Sequence, residues 1–318
     1  MKYLLTGGAG FVGSNLTKII LDQGHSVVCL DNLRTGRKSN VEDFLSNKNY
    51  RFIEGDVRDD KTIERLVSDS DRVFHLAAAV GVKFVLDNPL ETILTNTMGT
   101  EVVLAHASKH GKRIIIFSTS EVYGKNNKIP FKEEDDRIMG STMKTRWSYA
   151  ASKAMDEFLA LAYHKEKQLD VTIVRLFNTV GAGQLSEYGM VIPRFVKQAL
   201  NGKNITVYGD GNQTRCFCNV KDVVKALYEL MDNEDSKGDI FNIGTDERIS
   251  ILSLANMIID MTNSKSKIDI IPYGKVLGDD FEDMLHRVPD ISKIKKLIDF
   301  NPSIKVRDTV REVINFYS

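Results

Sequence analysis

Cysteine, proline and tryptophan are scarce in this 318-residue chain, which has three, six and one of them. The cysteines, Cys29, Cys216 and Cys218, form an odd set without a CxxC spacing. They suggest neither a disulfide framework nor a zinc site, fit a reducing cytoplasm, and leave no metal expected. Long hydrophobic runs are also missing: none approaches the roughly 18 to 20 residues needed to span a bilayer. At the N-terminus a single lysine precedes an apolar stretch that ends before Thr6, too short for a secretory signal. Charge of one sign is absent too, because 43 basic residues balance 43 acidic ones. That balance removes the composition argument for a nucleic-acid or membrane-surface partner, so any polyanion site has to be local. Repeats and low-complexity tracts are not visible, and the length allows one large domain or two modest ones sharing an interface.

What the chain does contain is alternation. Short β-rich runs at residues 3–5, 26–30, 50–54, 72–76, 113–118 and 171–176 are interleaved with helical patterns at 13–23, 61–66, 95–110 and 149–167. Strands alternating with helices predict a doubly wound α/β fold, a parallel sheet covered on both faces. In the last helix Ala150, Ala154, Phe158, Leu161 and Ala162 recur at helical spacing and predict one buried stripe. After about Phe177 the texture changes to short strands, loops and helices at 192–200, 220–231 and 251–261. This predicts a first domain over 1–177 and a smaller lobe over 178–318, with segments free to cross between them.

Gly7, Gly10 and Gly13 form GxxGxxG between the first strand and the first helix. A glycine triplet alone also fits an ordinary loop. Placed there, it lets the backbone turn tightly and approach a pyrophosphate, with the helix amides of Phe11 and Val12 behind it. Asp31 closes the second strand, where a carboxylate binds the adenosine ribose of NAD and repels a 2′-phosphate; Arg34 and Arg37 nearby soften that exclusion of NADP. Beside it stands Asn32. Asp56 and Val57 follow the third strand at the expected adenine edge, and Leu76, Ala77 and Ala78 end the fourth beside the expected cofactor.

Tyr149 and Lys153 stand four apart, hence on one helix face. A phenol with a pKa near 10 becomes a base only if nearby positive charge stabilises the phenolate. Lys153 and the nicotinamide supply such charge, and Thr119 at a strand end can bind the substrate hydroxyl. In isolation a Tyr–Lys pair reads first as a surface feature of an amphipathic helix; the glycine turn, Asp31 and Thr119 in order favour the catalytic reading.

Taken in order, TGGAGFVGS, LDN, GDVRD, HLAA, Asn96, STSEVYG, SYAASK, RLFN and RVPDI resemble the extended short-chain dehydrogenase/reductases of the epimerase/dehydratase family over essentially the whole chain. The resemblance implies NAD as cofactor, with Asn96 among the residues serving it, and Thr119, Tyr149 and Lys153 as catalytic residues. It places Asn178, Arg194, Arg215 and Arg287 around a nucleotide-sugar, with Ser120 beside them, and it implies a homodimer formed through helices 100–110 and 149–167. One departure is Gly181-Ala182-Gly183, where the family often has Gly-Pro-Arg.

Such enzymes open by oxidising the sugar C4 hydroxyl. Glu121, two positions after Thr119, resembles the carboxylate of UDP-glucuronate decarboxylases, as do the strings around Arg146, Gln213 to Phe217, and His286 to Asp290. A C4 ketone is β to a C6 carboxylate, so loss of CO2 leaves an enolate that Thr119 and Tyr149 can stabilise. Ser120 stands where a 4,6-dehydratase would carry its acid. A UDP-hexose 4-epimerase stays open, since rotation of a keto-sugar requires none of these residues. A non-catalytic NAD-binding regulator and a simple alcohol dehydrogenase are the alternatives from other classes. The catalytic set argues against the first, and Arg194, Arg215 and Arg287 argue for a diphosphate substrate against the second.

Overall fold

A computed structural model describes residues 1–186, 189–277 and 282–318. Six strands, β1 (Lys2–Thr6), β2 (Ser26–Asp31), β3 (Tyr50–Glu54), β4 (Arg72–His75), β5 (Arg113–Thr119) and β6 (Val171–Leu176), alternate with helices. These include α1 (Phe11–Asp22), α2 (Asp60–Ser68), α3 (Val82–Asp87), α4 (Pro89–Lys109) and α5 (Trp147–Lys167). The strands lie in the order β3-β2-β1-β4-β5-β6, and Asp239–Ile243 adds a seventh beside β6; every pairing is parallel. The order reverses between β1 and β4, and a cofactor binds at such a crevice beyond the carboxyl ends of the strands.

One apolar layer packs α1 and the helix Val220–Met231 on a single face of the sheet, through Leu16, Ile20, Val223, Leu227 and Leu230 against Phe74 and Phe241. The other face carries α2, α4 and α5 over Leu4, Val73, Ile114, Ile116 and Ile173. Both Val220–Met231 and Asp239–Ile243 therefore return from the second half of the chain to the first. The smaller lobe has its own core of Ile192, Phe195, Val207, Leu254, Ile258 and Val310. It also holds a three-stranded sheet in which Thr214–Cys216 lies between Arg248–Ser250 and His286–Arg287.

The stripe expected on α5 needs correction. Ala150 and Ala154 are buried, but Phe158 and Ala162 are exposed and Leu161 is only half-buried. The inward face instead carries Ser152, Lys153, Asp156 and Glu157, polar groups held by partners that the apolar pattern does not reveal. Among the described residues no helix is long and apolar enough to cross a membrane.

Candidate active site

After β1 the chain turns through Gly7, whose φ of 72° lies in the left-handed region. A Cβ there would stand 2.7 Å from the Ala77 amide nitrogen, and one on Gly13 would stand 2.6 Å from the Gly7 carbonyl oxygen. Only glycine fits either place. Gly10 is the N-cap of α1 and has no capping side chain, so the first-turn amides are left for an anion. Asp31, at 7% exposure, accepts hydrogen bonds from the Ala9 amide at 3.0 Å and the Leu33 amide at 2.8 Å. Burial pushes its carboxyl up while these two amides pull it back. The carboxylate thus fastens the glycine turn to the loop after β2, and its other lone pairs remain for ribose hydroxyls. A cavity of about 280 Å³ runs along this cradle past Val57, Leu76, Ala77 and Ala78 to Thr119 and Tyr149.

At the end of β5 the Thr119 hydroxyl accepts the Glu121 amide at 3.2 Å and caps the 3-10 turn Ser120–Tyr123. Roughly two helical turns after Tyr149, the Glu157 carboxylate receives Arg175 through two hydrogen bonds at 2.9 and 2.8 Å and the Ser118 hydroxyl at 2.5 Å. These buried bonds fix α5 against β5 and β6, and so bring Tyr149 onto the same cavity wall as Thr119. Burial drives the phenol well above its usual range, Glu121 and Asp156 push the same way, and the nearby Thr119 hydroxyl and the Arg287 charge oppose them. A second cavity of about 810 Å³ opens on the other side of the same Thr119 and Tyr149.

The wall of this larger cavity carries an ionic cluster beside the phenol. Glu121 binds Arg146 at 2.8 Å and Arg287 at 3.3 Å; Asp283 binds Arg215 at 2.8 Å and Arg146 at 3.2 Å. Arg215 and Arg287 are register partners on adjacent strands. Burial alone would raise both acids, yet the three guanidiniums outweigh it. Glu121 is held below the ordinary carboxylate range and Asp283 down to about 2, the latter helped by the Tyr273 hydroxyl at 2.8 Å. Three cations against two anions leave one positive charge. Asn178 Oδ1, Arg194 Nε and Arg287 Nε line the same cavity, buried without a protein partner among the described residues, as befits groups that await a polar ligand.

A model of the NAD dependent epimerase/dehydratase family matches residues 3–244. The chain belongs to this family. It is an NAD-dependent, nucleotide-sugar-modifying enzyme, and the cradle built on Gly7, Gly13 and Asp31 fits that cofactor. Over 317 residues it is 42% identical to a UDP-N-acetyl-alpha-D-glucosaminuronate decarboxylase of Bacillus cytotoxicus, covering 99% of this chain and 97% of the relative. It is 36% identical to UDP-glucuronic acid decarboxylase 1 of Danio rerio, covering 100% of this chain and 72% of that protein. Among solved structures, the UDP-glucuronic acid 4-epimerase of Bacillus cereus, in complex with UDP-glucuronic acid and NAD, superposes with a TM-score of 0.88 at 28% identity, over 99% of this chain and 98% of that one.

Within this family member, the residues singled out from sequence fall into two groups. Gly7, Gly10, Phe11, Val12, Gly13, Asp31, Asn32, Val57, Leu76, Ala77, Ala78, Thr119 and Tyr149 line the smaller cavity. Thr119, Glu121, Tyr149, Asn178, Arg194, Arg215 and Arg287 line the larger. Four others line neither. Asp56 is occupied by Arg58 at 2.8 and 2.7 Å and by Asn32, and the Arg58 bonds hold its carboxyl at about 2. Asn96, fully buried, accepts the Ala79 amide and donates to the Ser152 hydroxyl, so it ties the end of β4 to α5. Lys153 forms a buried ion pair with Asp156 at 2.6 Å, and Ser120 is buried at 1% exposure. Arg194 stands apart from the ionic cluster, 4.0 Å over the Tyr208 ring and donating to Thr206. Sequence reasoning missed Asp283, in an irregular stretch, Tyr273, which opens the short helix Tyr273–Leu277, and Asp156, whose only sign was its place three residues after Lys153.

Proposed function

We propose that the chain decarboxylates a UDP-hexuronate after oxidising its C4 hydroxyl. The observation that carries this reading is the cluster of Arg146, Arg215 and Arg287 with Glu121 and Asp283 beside Thr119 and Tyr149. Its surplus positive charge suits a second anionic group in addition to the diphosphate, and a 4-epimerase acting on a neutral hexose needs none there. NAD, which the glycine turn and Asp31 would hold, would supply the acceptor for the C4 hydride. Tyr149 then receives the O4 proton, and the positive charge near it is what makes a raised phenol usable as a base. Thr119 orients the same oxygen. Once C4 is a ketone, the C5–C6 bond breaks and its electron pair moves into an enolate on O4, held by Thr119 and the protonated Tyr149, while CO2 leaves. Arg146 and Arg287 neutralise the C6 carboxylate until that moment, and Glu121 holds both guanidiniums in place.

In this reading residues 1–177 form the NAD domain and also lend Thr119, Glu121, Arg146 and Tyr149 to the substrate side, while 178–318 form the nucleotide-sugar lobe, with Val220–Met231 and Asp239–Ile243 crossing back. A homodimer accords with Leu90, Ile93, Met98, Met155 and Phe158 left exposed on α4 and α5, and a cytoplasmic setting with three unpaired cysteines. The decisive assay supplies NAD with UDP-glucuronate or UDP-N-acetylglucosaminuronate and follows CO2. Release of CO2 with a pentose or keto-pentose nucleotide supports the proposal; inversion at C4 without CO2 makes the chain an epimerase.

A further inference from the structure

We propose that Glu64, His106 and His110 form a binding site for a divalent transition cation of the zinc type, joining α2 to α4. His106 and His110 are one helical turn apart, and Glu64 faces them from α2; one donor atom from each lies within 4.8 Å of the others. Two atoms point to a ligand: His106 Nδ1 and His110 Nε2 are buried without a hydrogen-bond partner among the described residues. Leaving two buried ring nitrogens unsatisfied is costly unless something else binds them. The other nitrogen of His106, Nε2, stands 2.8 Å from Asp60 Oδ1. A carboxylate in that place keeps one ring nitrogen as the N–H and turns the other lone pair to a metal.

Two imidazoles and one carboxylate favour zinc, cobalt or nickel over magnesium and calcium, and three protein ligands leave a position for water. Glu64 is ion-paired with Lys109, whose side chain is 60% exposed and free to swing into water when a cation takes over the carboxylate. None of these residues lines either cavity of the active site. The site was not expected from the cysteines because no cysteine takes part and its ligands come from two helices.

Tag-free protein stripped with a chelator would be titrated with zinc chloride by calorimetry, with cobalt absorption reporting coordination. The expected result is one saturable zinc per chain, a higher Tm with zinc and no response to magnesium. His110→Ala and Glu64→Gln should each weaken binding by at least about tenfold and remove the Tm rise, and Asp60→Asn should weaken it by about 10- to 100-fold. An unchanged zinc-free Tm shows that the variants fold. Absence of saturable binding, or equal affinity in the wild type and both ligand variants, overturns the proposal.

Discussion

In the proposed mechanism Tyr149 carries the chemistry and Asp31 the choice of cofactor, and the two are separable by substitution. Tyr149→Phe removes the only phenolic oxygen that the described residues place on the wall shared by the two cavities, while the glycine turn and Asp31 stay intact. Turnover should fall by about 10²- to 10⁴-fold with NAD affinity nearly unchanged, as read by calorimetry alongside a turnover assay. Near-normal activity would assign the proton transfer to another group. Asp31 is a more entangled residue because its carboxylate also receives the Ala9 and Leu33 amides. Asp31→Asn keeps an acceptor for the turn and removes the charge, so binding of NAD should weaken and the preference over NADP should narrow. Dissociation constants for both cofactors decide this, and an unchanged ratio would mean that Arg34 or Arg37 reads the ribose. Glu121→Gln tests the step after oxidation. It leaves Thr119 and Tyr149 in place but loosens Arg146 and Arg287, so transient NADH absorbance should persist while CO2 release slows.

At the scale of elements, the ionic cluster joins the turn after β5, the start of α5 and two strands of the small lobe, so its charge state bears on stability. Asp283 has a folded pKa of about 2 against an ordinary 3.8. A depressed carboxyl stabilises the fold above its unfolded pKa, and that contribution is lost as the pH falls through the folded value. The gain is of order 2 kcal/mol above about pH 5 and about half of that near pH 3. The difference in urea midpoint between wild type and Asp283→Asn should therefore shrink across this window; a constant difference would show that the aspartate charge is not what matters. These elements were unequally legible in the sequence. Six strands of the sheet, the glycine turn and Asp31 announce themselves because local spacing dictates them. The seventh strand, Asp239–Ile243, is as long as β1 and β3 but stands outside the strand–helix alternation of the first half and owes its place to pairing with β6. The cluster unites residues from positions 121 to 287, and no local pattern links them. The buried face of α5 was misread because its polar groups are paired: Lys153 with Asp156 along the helix itself, and Glu157 with Arg175 on β6.

For the whole molecule, five of the exposed large apolar residues stand on two helices, α4 and α5, that pack on each other. Leu90, Ile93 and Met98 on α4 and Met155 and Phe158 on α5 are between 39% and 68% exposed. Large apolar side chains exposed on neighbouring helices are the surface through which the proposed homodimer would form. A two-fold dimer would place this patch on its own copy, so each substitution acts twice across the interface. The inward face of α5 carries Lys153 and Glu157, which means that the association face can be altered without touching the catalytic one. Met155→Lys combined with Phe158→Glu sets four charges into an interface that should otherwise exclude water, and desolvating them costs more than the remaining contacts return. Light scattering after gel filtration should give about twice 35.8 kDa for the wild type and the single-chain mass for the double variant, with unchanged circular dichroism. A wild type that elutes as one chain at micromolar concentration, or a double variant that remains dimeric, would remove α4 and α5 as the association surface.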